Sequence, residues 1–370
     1  YCEKGKEGFI MSQEQQDIER LGALIDGKSY YQRWVESQGV PQIVASYIED
    51  VDKLELARWD RKGGKGAFLN MEGTEDTNDM YICEIPPGGK LNPDRHMYEE
   101  MVIIISGQGA TRIWLPNQRP IEFEWQEGSL FSLPLNAHYQ HFNGTGKPAR
   151  YLAVTTAPLV INLYHDLGFV FNCPYEFRNR FAGEEDFFSS PGTMHGVRIW
   201  ETNFVSDVRS FALVPRTERG RDKNTKLEMA NGSLAAHISE FPVGRYKKGH
   251  RHGPGAHVII LAGKGYSLLW REGEEPKRCD WHPGSILVPK DMEFHQHFNV
   301  GASPARYLAI RWGSQKNPVF KRYTGDQDIK EGGNQIDYAD QKPWIHQMFL
   351  KELQSSGITC DMEEFADCLV

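Results

Sequence analysis

The sequence predicts an all-β protein in which one small barrel domain occurs twice in tandem. Three observations lead to this prediction. Shifted by 156 residues, so that His96 falls on His252, the chain realigns with itself over long stretches without a gap. Short segments that alternate between apolar and polar residues are separated by turns rich in the 36 glycines and 20 prolines. The 370 residues are enough for two domains with a sizeable core.

The repeat involves turn residues, large aromatic residues and polar residues alike. Its aligned pairs include Glu84 with Glu240, Gly107 with Gly263, Trp125 with Trp281, Asn143 with Asn299, and Arg150 with Arg306. Since Arg150 and Arg306 occur in both copies, we expect them to form structural salt bridges. Chance does not produce this alignment, and the chain is interpreted as a duplicated β-domain.

The segments outside the two copies predict helices and an ordered connection. Ser12 with Gln15 resembles a capping box at the start of a first helix, and a second helical run is expected through Ile48, Val51 and Leu54. The connection is rich in Phe and Tyr, so we expect it to pack between the barrels or at a dimer contact. The predicted divisions are a helical leader at 1–58, barrel one at 59–160, the connection at 161–195, barrel two at 196–315, and a C-terminal tail at 316–370 that becomes helical from Pro343.

Two His-x-His pairs in the second copy are candidates for a metal site. They are His250 with His252, and His295 with His297. Residues i and i+2 of a strand point to the same face, so each pair can point into one cavity. Neutral imidazole is a good ligand for divalent transition metals. The alternative is that these are surface histidines or hydrogen-bonded core histidines.

The spacing around these histidines resembles the motifs of the cupin superfamily. Gly244-x5-His250-x-His252, followed by Gly263, resembles the first cupin motif, and Gly284 through Pro289 to His295-x3-Asn299 resembles the second. The resemblance implies a bicupin, with two double-stranded β-helix barrels in one chain. It also implies that His250, His252 and His295 bind a metal. His257 is a candidate fourth ligand, or else a residue that lies behind a ligand or faces outward.

The first copy departs from this pattern at two ligand positions. Asp94 occupies the position of His250, and Tyr139 that of His295, while His96 is kept. Barrel one is therefore interpreted as structural or degenerate. The alternative is a weaker second metal site formed by His96, Glu100, His138 and His141.

The second copy has Ala256 where the first has Glu100, so the predicted site contains no carboxylate. A divalent metal would keep its full charge there, which favours an anionic, chelating substrate. Arg311 is the candidate partner for a substrate carboxylate, since its repeat partner is Thr155. His297 is a candidate base or hydrogen-bond donor, although a structural role is also open because its partner His141 persists. Further candidates for the pocket, or else for core packing, are Tyr246, Trp270 and His237.

Three histidines with an apolar residue at the glutamate position resemble the iron site of gentisate-type ring-cleaving dioxygenases. The resemblance implies a mononuclear Fe(II) dioxygenase that uses dioxygen on a small hydroxy-aromatic or carboxylated substrate. One alternative is a non-redox isomerase, lyase or decarboxylase that uses Mn, Ni or Zn. Another is a non-catalytic binding or storage bicupin. A homo-oligomer is expected from the same resemblance.

Composition argues against several other classes. The net charge is −8 with scattered Lys and Arg, so we expect no nucleic-acid partner. No apolar run approaches 18 residues, so we expect no membrane span. The chain contains no Cys-x-x-Cys pair, and we expect reduced thiols in a cytoplasmic protein. Met11 is a candidate natural start. The cysteines are Cys2, Cys83, Cys173, Cys279, Cys360 and Cys368.

Overall fold

The computed structural model describes residues 27–74, 76–216, 221–319 and 327–365. Its helices are α1 (Tyr30–Ser37), α2 (Ala157–Tyr164), α3 (Leu167–Asn172) and α4 (Pro343–Ser356). A capping box between Ser29 and Gln32 starts α1. The predicted capping box at Ser12 lies outside the described residues. The helix predicted from Pro343 is present as α4.

Eleven strands precede the connection between the barrels. They are β1 (Gln42–Ala45), β2 (Tyr47–Ile48), β3 (Ala57–Trp59), β4 (Gly64–Met71), β5 (Asp79–Ile85), β6 (Glu100–Ser106), β7 (Gln108–Trp114), β8 (Ile121–Gln126), β9 (Leu130–Leu133), β10 (His138–Asn143) and β11 (Ala149–Thr155). Barrel one has one sheet in the order β1-β4-β5-β11-β6-β9, with β3 on β4, and a facing sheet in the order β10-β7-β8.

The remaining strands are β12 (Thr193–His195), β13 (Ile199–Glu201), β14 (Phe204–Val205), β15 (Pro215–Arg216), β16 (Asp222–Glu228), β17 (Leu234–Phe241), β18 (Gly249–His250), β19 (His257–Ala262), β20 (Gly265–Trp270), β21 (Lys277–Trp281), β22 (Ile286–Leu287), β23 (Phe294–Asn299), β24 (Ala305–Trp312) and β25 (Gln335–Ile336). Barrel two has one sheet in the order β12-β13-β16-β17-β24-β19-β22 and a facing sheet in the order β21-β20-β23-β18-β25. The predicted all-β fold of two tandem barrels is confirmed.

The two barrels exchange their leading strands. Strand β2 joins barrel two, where Tyr47 pairs with Leu287 of β22. Strand β14 joins barrel one, where Phe204 pairs with Phe131 of β9. Phe131 and Leu287 are repeat partners, so the exchange is reciprocal. The helical prediction for the segment through Ile48 is wrong, because this β-branched and aromatic segment pairs with exposed sheet edges.

Alternation along the strands builds two kinds of core. Odd and even residues of a strand face opposite sides of its sheet. In β19, Val258 and Ile260 point into barrel two, while Ile259 points into an apolar core shared by the barrels. Ile82 and Leu152 of barrel one belong to the same shared core. The large sheets therefore bury their outer faces against each other.

The aromatic connection packs on barrel one. Phe181, Phe187 and Phe188 are buried in the core of that barrel, and Phe188 stacks on Phe123 with the ring centroids 4.0 Å apart. The repeated arginines form the expected salt bridges, Arg150 with Glu84 at 2.8 Å and Arg306 with Glu240 at 3.2 Å. Along the described residues, no helix is long and apolar enough to cross a membrane.

The cysteines differ from the prediction in one case. Cys83, Cys173 and Cys279 are buried free thiols, whereas Cys360 is disulfide-bonded. The expectation of reduced thiols throughout is wrong for Cys360. A disulfide requires Cα atoms within about 7 Å, a proximity that spacing along the sequence does not reveal. The cytoplasmic prediction rested on these thiols and loses that support.

Candidate metal centre

Neighbouring strands of barrel two bring three of the predicted histidines together. His250 of β18 lies directly opposite His295 of β23 in an antiparallel pair. Residues that face each other in such a pair point to the same side of the sheet. His252 follows two positions after His250. The imidazoles of all three come together on this face.

The geometry of this triad suits a single metal ion. One nitrogen from each of His250, His252 and His295 lies within 4.8 Å of the other two. The ring centroids of His250 and His295 are 4.2 Å apart, and those of His252 and His295 are 4.7 Å apart. His250 and His295 are buried, while His252 is half-buried and marks the side that opens to solvent.

Backbone carbonyls orient all three rings in the same way. The Nδ1 of His250 lies 3.1 Å from the oxygen of Lys248, and the Nδ1 of His295 lies 3.1 Å from the oxygen of Glu293. The Nδ1 of His252 lies 2.9 Å from the oxygen of Gly253. Because a carbonyl only accepts hydrogen bonds, each Nδ1 carries the proton and each Nε2 keeps its lone pair. The donor set therefore fits a divalent transition metal bound through three Nε2 atoms.

The candidate fourth ligand, His257, lies on the wrong face of its strand. It is opposite Ile310, whose side chain is in the core shared by the barrels. Its Nδ1 is 3.4 Å from the side-chain nitrogen Nδ2 of Asn78 in barrel one. Burial lowers the pKa of His257 to about 4. Of the alternatives for His257, the role of fourth ligand is wrong and the outward-facing position is the one that the structure shows. By alternation the buried Ala256 faces the interior of the barrel.

His297 lies beside the triad and is held by a relay that both barrels share. The indole nitrogen of Trp281 donates to the Ser267 hydroxyl at 3.0 Å, and that hydroxyl lies 2.7 Å from the Nδ1 of His297. The His297 ring centroid is 5.6 Å from that of His295. Barrel one repeats the relay with Trp125, Thr111 and His141, which favours a structural share in the role of His297.

Two of the predicted pocket residues face away from the cavity. Tyr246 is fully buried on the outer face of barrel two, where its hydroxyl lies 3.1 Å from the Nδ1 of His346 in α4. Trp270 is opposite Phe294 and stacks on it, while the next residue, His295, points inward. Of the two alternatives for Tyr246 and Trp270, the pocket role is wrong and core packing is the one that the structure shows. Alternation counted outward from His295 would have placed Trp270 correctly.

The other two predicted pocket residues lie on the inner face. Arg311 of β24 is opposite Ala235, and His237 of β17 is opposite Ala309. Tyr307 of β24 belongs to the core of barrel two. By alternation both residues lie on the same inner face as Tyr307. Arg311 and His237 are half-buried near the end of the barrel. The structure thus places a guanidinium on the cavity side of the same sheet.

A buried lysine that sequence reasoning missed lies inside barrel two. The Nζ of Lys247 donates to Asp222 at 2.8 Å, to the Ser239 hydroxyl at 2.6 Å, and to the Tyr307 hydroxyl at 3.1 Å. The Tyr307 ring centroid is 5.4 Å from that of His297. Lys247 thus joins Asp222, Ser239 and Tyr307 by hydrogen bonds in the interior, and the Tyr307 ring contacts that of His297 beside the triad. The signal available in the sequence was Lys247 itself, three residues before the first motif histidine.

In barrel one a lysine occupies the interior beside the equivalent position. Asp94 and Tyr139 face each other as His250 and His295 do in barrel two. The Nζ of Lys62 lies 3.1 Å from the Asp94 carboxylate and 3.0 Å from the Tyr139 hydroxyl. Glu100 lies 3.2 Å from the Nε2 of His96. Barrel one thus gathers acidic groups around an ammonium ion, which favours the degenerate interpretation.

The remaining candidates for a second metal site do not converge. His138 stacks on Trp114 with the centroids 5.3 Å apart, on the face of β10 opposite to Tyr139 and His141. Burial lowers the pKa of His141 to about 4, and its Nδ1 is taken by Thr111. Among the described residues, His96, Glu100, His138 and His141 do not form a cluster with metal-ligand spacing. The alternative of a second site that includes His138 is therefore wrong, because His138 lies on the outward face of β10.

No protein-family model and no curated protein sequence matches this chain. Among solved structures, a tryptophan-to-tyrosine variant of oxalate decarboxylase from Bacillus subtilis is similar at 13% identity and a TM-score of 0.48, covering 72% of this chain and 77% of that one. A glutamate-to-alanine variant of that enzyme is similar at 14% identity and 0.49, covering 74% and 78%. A third structure, described for the Mn(II) centres of the same enzyme, is similar at 14% identity and 0.47, covering 72% and 77%. The likeness is weak in sequence and in TM-score, and the tandem-barrel fold rests on the strand order and register of the chain itself.

Proposed function

We propose that this protein is a mononuclear metal-dependent enzyme that acts on a small carboxylate in barrel two. The observation that carries the proposal is the common orientation of His250, His252 and His295. Each ring has its Nδ1 on a backbone carbonyl, and one nitrogen of each lies within 4.8 Å of the other two. Such outer hydrogen bonds are typical of histidines that hold a metal.

The donor set accounts for the proposed substrate class. Three neutral imidazoles leave a divalent metal with its full charge, and the inward-facing Ala256 adds no carboxylate. When bound, the metal would supply a Lewis acid and a template for the substrate oxygens. Arg311 on the inner face of β24 is the proposed anchor for a substrate carboxylate, since its planar fork pairs with both oxygens.

The chain's own groups favour a reaction with proton transfer. Lys247 donates a hydrogen bond to the Tyr307 hydroxyl in the interior, the Tyr307 ring contacts that of His297, and His297 lies beside the triad. Such groups can donate a proton to the substrate carbon after one of its bonds has been broken. This favours a non-redox lyase or decarboxylase with Mn, Ni or Zn. The Fe(II) dioxygenase stays as the second candidate, because the same three-histidine donor set suits iron.

Metal analysis followed by turnover assays separates these candidates. The purified chain would be stripped of metal, reloaded anaerobically with Mn(II) or Fe(II), and offered oxalate and a panel of hydroxy-aromatic acids. Release of carbon dioxide without oxygen uptake supports the non-redox enzyme. Stoichiometric oxygen uptake with Fe(II) supports the dioxygenase.

The control is His250→Ala, which removes one ligand and should lose both metal and turnover. His96→Ala, the repeat partner of His252 in barrel one, should keep the metal. A wild-type chain that binds no stoichiometric metal would overturn the proposal in favour of a non-catalytic binding protein.

A further inference from the structure

A segment of the C-terminal tail lies along the strand that bears His250. The backbone nitrogen of Arg251 donates to the oxygen of Asn334 at 2.9 Å. Lys248 forms a salt bridge with Asp337 at 2.7 Å. Between these contacts, β18 pairs with β25 as well as with β23. The segment 334–337 is thus hydrogen-bonded to the metal-site strand on the side opposite to His295.

The register of this pairing places one tail residue in line with the metal ligands. His250 is opposite His295 on one side and opposite Gln335 on the other. Directly opposed residues of an antiparallel pair share a face, so His295, His250 and Gln335 form one row on the inner surface. The side chain of Gln335 is only 5% exposed.

The neighbouring residue confirms which way the segment faces. A Cβ atom placed on Gly249 would lie 3.3 Å from the ring of Trp270 and 3.7 Å from the Cδ1 of Ile336. Trp270 is on the outer face, so Ile336 is outward as well. Successive residues of a strand alternate, which leaves Gln335 on the cavity side.

We propose that Gln335 is a substrate-binding residue of the barrel-two site, whose carboxamide N–H donates to the carboxylate of the bound substrate. The proposal rests on the proposed function. A glutamine suits this place because it offers two N–H donors to an anion and leaves the charge of the site unchanged. A carboxylate at the same place would repel the substrate.

The comparison between the barrels supports the assignment. The sheet of barrel two that holds the triad has five strands, and β25 is the edge strand, paired with the strand β18 that carries His250. The corresponding sheet of barrel one has three strands within the described part of the chain, β10, β7 and β8. The barrel that keeps the three histidines is therefore the one that receives an added strand with an inward glutamine.

The test uses cobalt as a spectroscopic probe and formate as a minimal carboxylate. Full-length wild type and Gln335→Ala would be loaded with Co(II) and titrated with formate, with the visible absorption of the ion as the readout. Gln341→Ala is the matched control. It removes the same carboxamide from the same tail, but Gln341 donates to the Tyr246 hydroxyl at 2.6 Å on the outer face.

We expect Gln335→Ala to keep Co(II) and to bind formate about tenfold more weakly, as loss of a hydrogen bond to a charged group predicts. Gln335→Glu should bind formate more weakly still, while Gln341→Ala should match wild type. Gln335→Asn keeps a carboxamide and serves as the conservative variant if alanine disturbs the packing of segment 334–337.

The outcomes separate this assignment from the proposed function. An unchanged formate affinity in Co(II)-loaded Gln335→Ala overturns the role of Gln335 alone. Equal weakening in Gln341→Ala also overturns it, since the effect would then come from docking of the tail. Absence of Co(II) binding by wild type would overturn the proposed function and this assignment with it.

Discussion

At the level of single residues, the two barrels differ in the charged and polar groups that they hold at equivalent interior positions. Barrel two gathers neutral histidines, which suit an added cation. Barrel one gathers Asp94 and Glu100 around Lys62. Burial alone would raise the pKa of Glu100, but Lys62 and His96 lower it to about 2. The carboxylate therefore stays ionised in the interior because an ammonium ion is buried nearby.

Replacing Lys62 with methionine tests this compensation. Lys62→Met removes the buried cation beside Glu100 and leaves Asp94 with Arg61 alone, so we expect a loss of about 3–5 kcal/mol in unfolding free energy. The measurement is urea denaturation at pH 7. Lys65→Met is the control, because Lys65 is exposed and lies 3.7 Å from Glu84. It should cost less than about 1 kcal/mol. Equal costs for the two variants would refute the account.

The buried His257 predicts a pH dependence of stability. Its pKa in the folded protein is about 4, below the ordinary value of 6.5, because burial disfavours the charged ring. Between these values the unfolded chain binds a proton that the folded chain does not, so stability falls as the pH drops from 6.5 towards 4. His257→Leu suits the apolar face beside Ile310. We expect its loss of stability between pH 7 and pH 4.5 to be smaller by about 2–3 kcal/mol. Parallel curves for wild type and variant would contradict the prediction.

The inward Ala256 predicts what an added carboxylate would do. Ala256→Glu restores the residue found at Glu100 in barrel one, where it lies beside His96. Metal binding should tighten by about tenfold, a gain of roughly 1.4 kcal/mol. Formate should bind more weakly, because the net charge of the loaded site falls. Isothermal titration of both ligands measures this. Turnover equal to wild type would show that the reaction does not depend on a carboxylate-free site.

At the level of elements, the alternation of side chains along a strand explains which site residues could be predicted from the sequence and which could not. The pairs at i and i+2 placed His250, His252 and His295 correctly, and the repeat aligned the barrels. Parity could not be carried across Gly253-Pro254-Gly255, so the face of His257 was not available from the sequence. Lys62 and Gln335 come from segments outside the motifs. Their approach depends on long-range pairing, which local patterns do not encode.

One close contact between elements predicts a sensitive glycine. A Cβ atom on Gly73 would lie 2.4 Å from the backbone oxygen of Val288 and 2.6 Å from that of Pro289. Gly73→Ala must therefore push a turn of barrel one away from barrel two, and we expect a cost of about 1–3 kcal/mol. Gly144→Ala is the control, because nothing lies within 4 Å of its added Cβ. Differential scanning fluorimetry should show a lower Tm for Gly73→Ala than for Gly144→Ala.

At the level of the whole molecule, the exchanged strands and the shared core join the two barrels into one unit. Val51 donates its backbone N–H to Gly284 of barrel two, and Val208 donates to Gly128 of barrel one. The two glycines are repeat partners, so the same contact is made in both directions. Neither barrel has its complete large sheet without a segment from the other.

This arrangement predicts cooperative unfolding. Because the apolar core between the barrels is lost when either unfolds, we expect one calorimetric transition with equal calorimetric and van't Hoff enthalpies. The measurement is scanning calorimetry of the full chain. As a comparison, the isolated segment 196–365 lacks β2 and should not show a cooperative transition. Two resolved transitions of the full chain would contradict the prediction.

The reciprocal strand exchange also bears on how one site came to differ from the other. It is the geometry of a twofold dimer whose subunits trade their N-terminal arms. In a dimer of identical chains both centres must carry the same residues, since one gene encodes both. When the two copies are parts of one chain, their residues can differ, while the exchanged strands still pair with the opposite barrel. In this single chain barrel one has Lys62, Asp94 and Tyr139 where barrel two has its histidines, so a symmetric pair of barrels carries two different centres.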